Sequence, residues 1–297
     1  MALVQLARPR QPKPEWLKVR MPGGGRYEHV RRTLRELNLH TVCEEASCPN
    51  VGECWGGGTA TVMLMGDVCT RGCRFCDVTS GTPGPLDRLE PRHLAEAVSR
   101  LGLDYLVVTS VNRDELPDGG ASHFAQAIVE LRRAAPKTLV EVLTPDFQGS
   151  RAALEMIIDA EPAVAAHNVE TVERLTPRVR DRRATYRQSL EVLEHYKRGG
   201  MKTKSSLMLG LGETRAEVLQ AMRDLRSVNC DILTLGQYLR PSEKHLPVEE
   251  FVRPEVFADL EREGLALGFR FVAAGPLVRS SYKAGEFFIQ RWIESGA

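Results

Sequence analysis

From residue 59 onward, short apolar segments rich in β-branched residues alternate with longer segments whose apolar residues recur at helical spacing. Strand candidates cover 59–65, 104–110, 138–143, 163–167, 202–210, 231–235 and 269–273. Helix candidates cover 91–101, 121–134, 150–160, 185–198, 214–228 and 255–267. Phe124, Ile128 and Leu131 share one face of the second of these helices, and Ser150 stands where an N-cap belongs. Strands that are apolar throughout, each followed by a helix, require a parallel sheet with both faces covered. Strand starts 25 to 45 residues apart suit right-handed crossovers into a closed or partly closed barrel. The expected fold is therefore α/β, a partial (β/α)6 barrel.

In such barrels the chemistry gathers at the C-terminal ends of the strands. Polar residues fall there in sets: Ser110, Asn112, Arg113 and Asp114; Thr144 and Asp146; His167, Asn168 and Glu170; Gly212, Glu213 and Thr214; Gln237, Tyr238 and Arg240. Any one set is ordinary loop polarity; five at five strand ends predict a common polar mouth. Upstream, Val30, Leu34 and Leu37 predict a short amphipathic helix over 27–38.

The loop after the first strand carries Cys69, Cys73 and Cys76 at C-x3-C-x2-C spacing. Clustered thiolates select zinc or iron–sulfur clusters. A structural zinc site closes with four ligands, whereas three cysteines on a four-iron cubane leave one iron open to a substrate. Arg71 and Arg74 would offset the negative charge of such a cluster. The bland alternatives are a zinc knuckle or buried free thiols. A second triplet, Cys43, Cys48 and Cys54, lies in a stretch that Pro49, Asn50 and Gly52 mark as a turning loop rather than a helix. Its local ligand count is again three. Gly56, Gly57 and Gly58 follow and allow close backbone approach. Cys230 stands alone before an apolar strand and reads as a core thiol. An odd count of seven cysteines does not fit a secreted disulfide scaffold and implies a reducing cytoplasm.

With 297 residues and a net charge of +1, the chain is long enough for a sizeable core and is no general nucleic-acid binder. No apolar run reaches the length of a membrane span. The first 40 residues hold nine basic and three acidic side chains. Such an arm either steers an acidic partner or is simply solvated. Pro9, Pro12 and Pro14 would break the amphipathic helix of a mitochondrial presequence, so no targeting segment is expected.

The sequence ends with Arg279-Ser280-Ser281-Tyr282 before its last residues. Beside the two triplets, this motif resembles the lipoyl synthase family of radical S-adenosylmethionine (AdoMet) enzymes. Glu45-Ala46-Ser47-Cys48-Pro49-Asn50, Gly58-Thr59-Ala60-Thr61, Val111-Asn112-Arg113-Asp114, Asp118-Gly119-Gly120-Ala121 and Tyr238-Leu239-Arg240-Pro241-Ser242 agree with it, and the resemblance spans about residues 12–290.

The resemblance implies a radical-AdoMet partial barrel (58–275), an N-terminal arm with an auxiliary-cluster segment (1–57), and a C-terminal extension (276–297), both extensions closing over the barrel mouth. It implies insertion of two sulfur atoms, at C6 and C8 of a protein-bound octanoyl-lysine. Cys69, Cys73 and Cys76 match the [4Fe–4S] cluster that cleaves AdoMet. Cys43, Cys48 and Cys54 match an auxiliary [4Fe–4S] cluster that donates sulfur, with Ser280 as fourth ligand and Ser281 as the alternative. Implied partners are octanoylated lipoyl carrier domains (2-oxoacid dehydrogenase E2 subunits, glycine cleavage H protein) and an electron donor such as flavodoxin or ferredoxin. Asn112, Arg113, Asn168, Lys204, Glu213 and Arg240 are the candidate AdoMet contacts, being polar residues expected at strand ends. Competing readings are another two-cluster radical AdoMet enzyme and, in a different class, an iron–sulfur electron-transfer or zinc-binding protein.

Overall fold

The computed structural model of the protein describes residues 12–19, 22–45, 48–281 and 292. Its main sheet contains β1 (His40–Thr41), β2 (Thr59–Leu64), β5 (Tyr105–Ser110), β6 (Leu139–Leu143), β7 (Val164–Ala166), β8 (Thr203–Leu209), β9 (Ile232–Gln237) and β10 (Phe271–Gly275). The strands lie in that order, all parallel except β1, which pairs antiparallel with β2. Strands β3 (Val68–Cys69) and β4 (Thr79–Ser80) form a small separate ribbon. Among the described residues β10 pairs only with β9 and β1 only with β2, so the sheet does not close into a full barrel.

Helices α4 (Glu90–Leu101), α5 (Ala121–Ala134), α6 (Arg151–Asp159), α8 (Tyr186–Arg198), α9 (Arg215–Ser227) and α10 (Pro254–Ala266) connect the strands, with α7 (Thr176–Val179) a single turn before α8. Their starts follow capping chemistry visible in the sequence. The hydroxyls of Ser150 and Thr185 accept from the backbone N–H of Ala153 and Gln188. Thr214 and Glu217 form a reciprocal capping box at the start of α9. The inward face of α5, Phe124, Ile128 and Leu131, is fully buried; each such side chain contributes about 1.5–3 kcal/mol relative to exposure.

The N-terminal region differs from expectation. Helix α1 (Gly25–Glu36) buries Val30 and Leu34 as its periodicity requires. The stretch read as one turning loop holds two helices, α2 (Val42–Glu45) and α3 (Val51–Gly57). Val51, Cys54 and Trp55, at i, i+3 and i+4, give α3 a buried face. Trp55 stacks on Tyr27 with ring centroids 5.1 Å apart. Asn50 sits at the N-cap without a side-chain capping bond, and its Nδ2 donates to Leu277 O of the C-terminal segment. Gly58, at φ +91°, stops the helix in a conformation that favours glycine.

At the N-terminal end of the sheet, Glu141 accepts from Lys204 Nζ at 2.8 and 2.9 Å and from Tyr105 Oη at 2.6 Å, all three buried. Trp292 packs here, with Lys202 and Arg270 over its ring at 4.9 and 4.7 Å. Both cations immediately precede strand starts. This part of the C-terminal extension therefore lies at the end of the sheet opposite the strand C-termini.

Candidate active site

The C-terminal end of β2 turns at Met65 and Gly66, both at positive φ, and delivers the loop 67–78. The turn is held by Glu90, whose carboxylate accepts the Met65 N–H at 2.9 and 3.0 Å and contacts His123 Nε2 at 2.6 Å. Within the loop, Cys69, Cys73 and Cys76 are half-buried. Backbone N–H groups point at their sulfurs: Arg71 and Asn112 donate to Cys69 Sγ at 3.4 and 3.3 Å, and Asp181 donates to Cys73 Sγ at 3.3 Å. Burial pushes the Cys76 thiol up to about 12, with Cys73 and Cys69 adding to the rise; burial likewise raises Cys73. Three thiols that repel one another's negative charge and receive N–H donors form a set suited to a metal centre, which binds thiolates and relieves that repulsion. N–H···S bonds of this kind tune iron–sulfur clusters.

Four distant segments hold the loop. The Arg71 guanidinium, 2% exposed, forks onto Asp114 (2.9 and 2.7 Å) and Asp146 (2.7 and 2.7 Å). It is thus neutralised by carboxylates rather than left to offset charge on the cysteines, which corrects the expectation for this residue. Arg183 donates to Thr70 O at 2.7 Å, and Asp181 accepts the Gly72 N–H at 3.0 Å. The Arg74 N–H donates to Val179 O and the Leu246 N–H to Arg74 O. His245 Nε2 contacts Cys76 O at 2.9 Å.

The second triplet spans α2 and α3: Cys43 and Cys54 are buried, and Cys48 lies between the helices. Burial, then neighbouring Cys48, pushes Cys43 up to about 12; Thr61 and Trp55 partly oppose this. The C-terminal segment comes to the same place. Asn50 Nδ2 donates to Leu277 O at 2.6 Å, and the half-buried Arg279 guanidinium lies within electrostatic reach of Cys48. Arg279 Nη1 is held by Val278 O at 2.7 Å, and a Cβ on Gly236 would stand 2.1 Å from that same oxygen. Only glycine on β9 lets this segment pass so close. Ser280 and Ser281 follow directly and are half-buried; Tyr282 lies outside the described residues.

The remaining candidates scatter. Asn112 contributes backbone: its carbonyl accepts from Thr70 N and Oγ1 at 3.0 and 3.1 Å. Arg113 is a buried brace on Glu115, Met65 O and Gly84 O. Asn168 Nδ2 donates to Glu170 at 3.0 Å. Glu213 accepts from Gly210 and Leu211 N–H at 2.5 and 2.9 Å. Arg240 donates to the carbonyls of His245 and Glu243. Lys204 is second in β8 and belongs to the Glu141 pair at the N-terminal end, so it does not reach the cysteines.

Arg180 is the residue the candidate set lacked. It is buried and donates to Ser189 Oγ at 2.7 Å, and its Nε has no partner among the described residues. It interacts electrostatically with Cys73, Glu170 and His167. The available signal was the arginine-dense run 174–183 between a strand and a helix.

A parallel α/β sheet with a three-cysteine loop after its first parallel strand defines a radical SAM enzyme, and the model of the radical SAM superfamily matches residues 63–225. Solved structures with this fold include methylornithine synthase (12% identical, TM-score 0.56, 80% of this chain and 81% of that chain). Another is Streptococcus suis SuiB bound to its precursor peptide SuiA (10% identical, TM-score 0.57, 88% and 57%). The N-terminal domain model of lipoyl synthase matches residues 3–48. The lipoyl synthase of Anaeromyxobacter dehalogenans is 65% identical over 95% of this chain and 97% of its own length. Those of Myxococcus xanthus (62%; 95% and 95%) and Thermus thermophilus (59%; 94% and 87%) are also similar. The chain belongs to the lipoyl synthase family. It is a sulfur-inserting radical SAM enzyme that uses [4Fe–4S] clusters and AdoMet.

Proposed function

We propose that this chain converts an octanoyl group, amide-linked to a lysine of a lipoyl carrier domain, into a lipoyl group by placing sulfur at C6 and C8. The observation that carries this reading is the meeting of the Cys48 segment with the Arg279-Ser280-Ser281 segment, through the Asn50–Leu277 hydrogen bond and the Arg279–Cys48 interaction.

In this reading Cys69, Cys73 and Cys76 hold one cubane, and Cys43, Cys48, Cys54 and Ser280 hold the other, with Ser281 the alternative ligand. When bound, the first cluster with AdoMet supplies a 5′-deoxyadenosyl radical and methionine, and the second supplies sulfide. A mid-chain methylene has no acidic proton, so no side-chain base can activate it, and the protein's work is to carry and place the cofactors. The Arg71 clamp and the N–H donors fix the first cysteine loop. Arg180, whose charge acts on Cys73 and Glu170 and whose Nε has no protein acceptor among the described residues, is a better match for the AdoMet carboxylate than Lys204 or Arg113, whose nitrogens are each engaged by protein acceptors. Asn112, Asn168, Glu213 and Arg240 remain candidate contacts through their loops.

Among the described residues no helix is long and apolar enough to cross a membrane. The clustered thiols suit a cytoplasmic setting. The partners are carrier domains of 2-oxoacid dehydrogenase E2 subunits or glycine cleavage H protein, and a low-potential donor such as flavodoxin or ferredoxin. The basic arm would meet the carrier, and neutralising Arg8, Arg10, Lys13 and Lys18 should raise KM for carrier but not for an octanoyl peptide. Of these, Arg8 and Arg10 lie outside the described residues.

The test is anaerobic reconstitution with iron counting, then reaction with an octanoyl-lysyl peptide, AdoMet and a chemical reductant, read by mass spectrometry. About eight irons, two sulfurs per peptide and 5′-deoxyadenosine release are expected. About four irons, or thiolated product that survives loss of Cys43, Cys48 and Cys54, would overturn the reading.

A further inference from the structure

We propose that the outer face of the Cys69–Cys76 loop is the docking surface for an acidic protein that delivers single electrons. The proposal rests on the radical SAM assignment, since only a cluster that must be reduced from outside needs such a surface.

The loop reaches solvent at Gly72 and Arg74, the neighbours of Cys73. Two other segments meet it there. Residues 178–183 touch it through the Arg74 N–H on Val179 O, the Gly72 N–H on Asp181 and Arg183 on Thr70 O. Residues 243–246 touch it through the Leu246 N–H on Arg74 O and His245 on Cys76 O. The exposed charged side chains these three segments bring together are five basic, Arg74, Arg178, Arg182, Arg183 and Lys244, against one acidic, Glu243. The chain as a whole carries a net charge of only +1, so this concentration is local.

The state of these cations matters as much as their number. Many exposed arginines elsewhere are consumed within their own helix, as in Arg187–Glu191, Arg198–Glu194 and Arg262–Asp259. At the loop face, Arg183 is held by Asp181 and Asp114, and Arg178 by Glu249. The side chains of Arg74, Arg182 and Lys244 enter no ion pair and no hydrogen bond among the described residues. Three uncommitted cations around an exposed glycine can receive a partner's carboxylates.

That pattern fits an electron carrier. Redox encounters bury little surface and dissociate quickly. They rely on charge to raise the encounter rate and orient the partner rather than on apolar burial. Electron tunnelling falls steeply with distance, so the carrier must approach close to the cysteines, and the exposed Gly72, next to Cys73, puts no side chain in the way. The step is a one-electron transfer: the carrier's low-potential centre is oxidised by one electron, the cluster held by Cys69, Cys73 and Cys76 is reduced by one, and no bond forms or breaks in it.

The experiment uses the reconstituted holoenzyme and its Arg182→Glu/Lys244→Glu variant. Release of 5′-deoxyadenosine is driven either by a reduced acidic ferredoxin or by reduced methyl viologen, a small cation that needs no docking surface. Ferredoxin-driven release should fall about tenfold in the variant, and its dependence on salt should flatten. Viologen-driven release should be unchanged. An Arg88→Glu/Lys137→Glu variant, with the same net charge but changed elsewhere on the surface, should match wild type with both reductants. Unchanged ferredoxin-driven release in the first variant overturns the proposal. So does an equal loss with both reductants, which would place the effect in the fold or cluster. An equal ferredoxin-specific loss in the control variant also overturns it, by making net charge the cause. Wild-type enzyme that releases no 5′-deoxyadenosine with viologen would instead overturn the assignment beneath it.

Discussion

Arg71 and Asp146 face each other as two parallel forks, with Nη1 and Nη2 each 2.7 Å from a carboxylate oxygen and both side chains almost wholly buried. Burial would raise the Asp146 carboxyl, but the Arg71 guanidinium overrides it and holds it below the usual carboxylate range. Asp114 takes the remaining edge of the same guanidinium. The pair joins the cysteine loop after β2 to the ends of β5 and β6, so the geometry of the three sulfurs depends on it. Replacing Arg71 by Met leaves two carboxylates facing each other in the interior. A loss of about 3–5 kcal/mol is expected in urea unfolding. Arg71→Lys keeps the charge but cannot fork onto two carboxylates, and should fall between. A Met variant within about 1 kcal/mol of wild type would show that the network contributes little.

Gly236 makes a second, independent prediction. Its missing side chain leaves room for Val278 O, which a Cβ would approach to 2.1 Å. Gly236→Ala must push the terminal segment, which carries Arg279 and Ser280, off its seat on β9. AdoMet cleavage should persist, while iron content falls from about eight to about four and sulfur insertion is lost. A variant that retains full iron and full product would remove the terminal segment from the auxiliary site.

Much of this arrangement was readable in the amino-acid pattern. The seven parallel strands and the starts at Ser150, Thr185 and Thr214 follow from period and capping, which are local properties. Lys204 was misread because strand ends look alike in one dimension; its height along β8 is set by the register with β7 and β9. Glu141 held the clue: one acidic residue in an otherwise apolar strand requires a cation, and the lysine that answers it is 63 residues away. Arg180 went unseen because its value depends on an unpaired Nε and on the charge it brings to bear on Cys73, both properties of packing alone. Helices α2 and α3 were hidden by Pro49 and Gly52, whose turn signals outweighed the buried face of Val51, Cys54 and Trp55.

Ser280 is open to a direct test of why an oxygen should hold iron. A hydroxyl-derived ligand binds iron less firmly than thiolate, and a cluster that gives up its sulfide must come apart. Ser280→Cys should load about eight irons and cleave AdoMet normally. Its yield of doubly thiolated peptide should drop several-fold. Full lipoyl product from the Cys variant would show that a labile ligand is not required, and the same result from Ser280→Ala would shift the ligand role to Ser281.

His167 predicts how the folded chain responds to acid. Its Nδ1 donates to Thr144 O at 2.9 Å and its Nε2 meets Ser189 Oγ at 3.0 Å. Arg180 donates to that same hydroxyl, whose one proton turns either to Thr185 O at 3.2 Å or to Nε2, the latter only while the imidazole is neutral. Burial first, then the Arg180 charge, lowers the His167 pKa to about 4. The unfolded chain takes up this proton near pH 6.5 and the folded chain only near 4. Between those values the unfolded state binds more protons, so stability falls as pH drops through that window and levels off below it. The full effect is on the order of 3 kcal/mol. His167→Gln removes the titration while keeping polar atoms in the site. The difference in unfolding free energy between wild type and variant should therefore be flat above pH 7 and slope between pH 6.5 and 4. A constant difference across that range would mean that the histidine is charged in the folded protein, and the Arg180–Ser189–His167 arrangement would have to be redrawn.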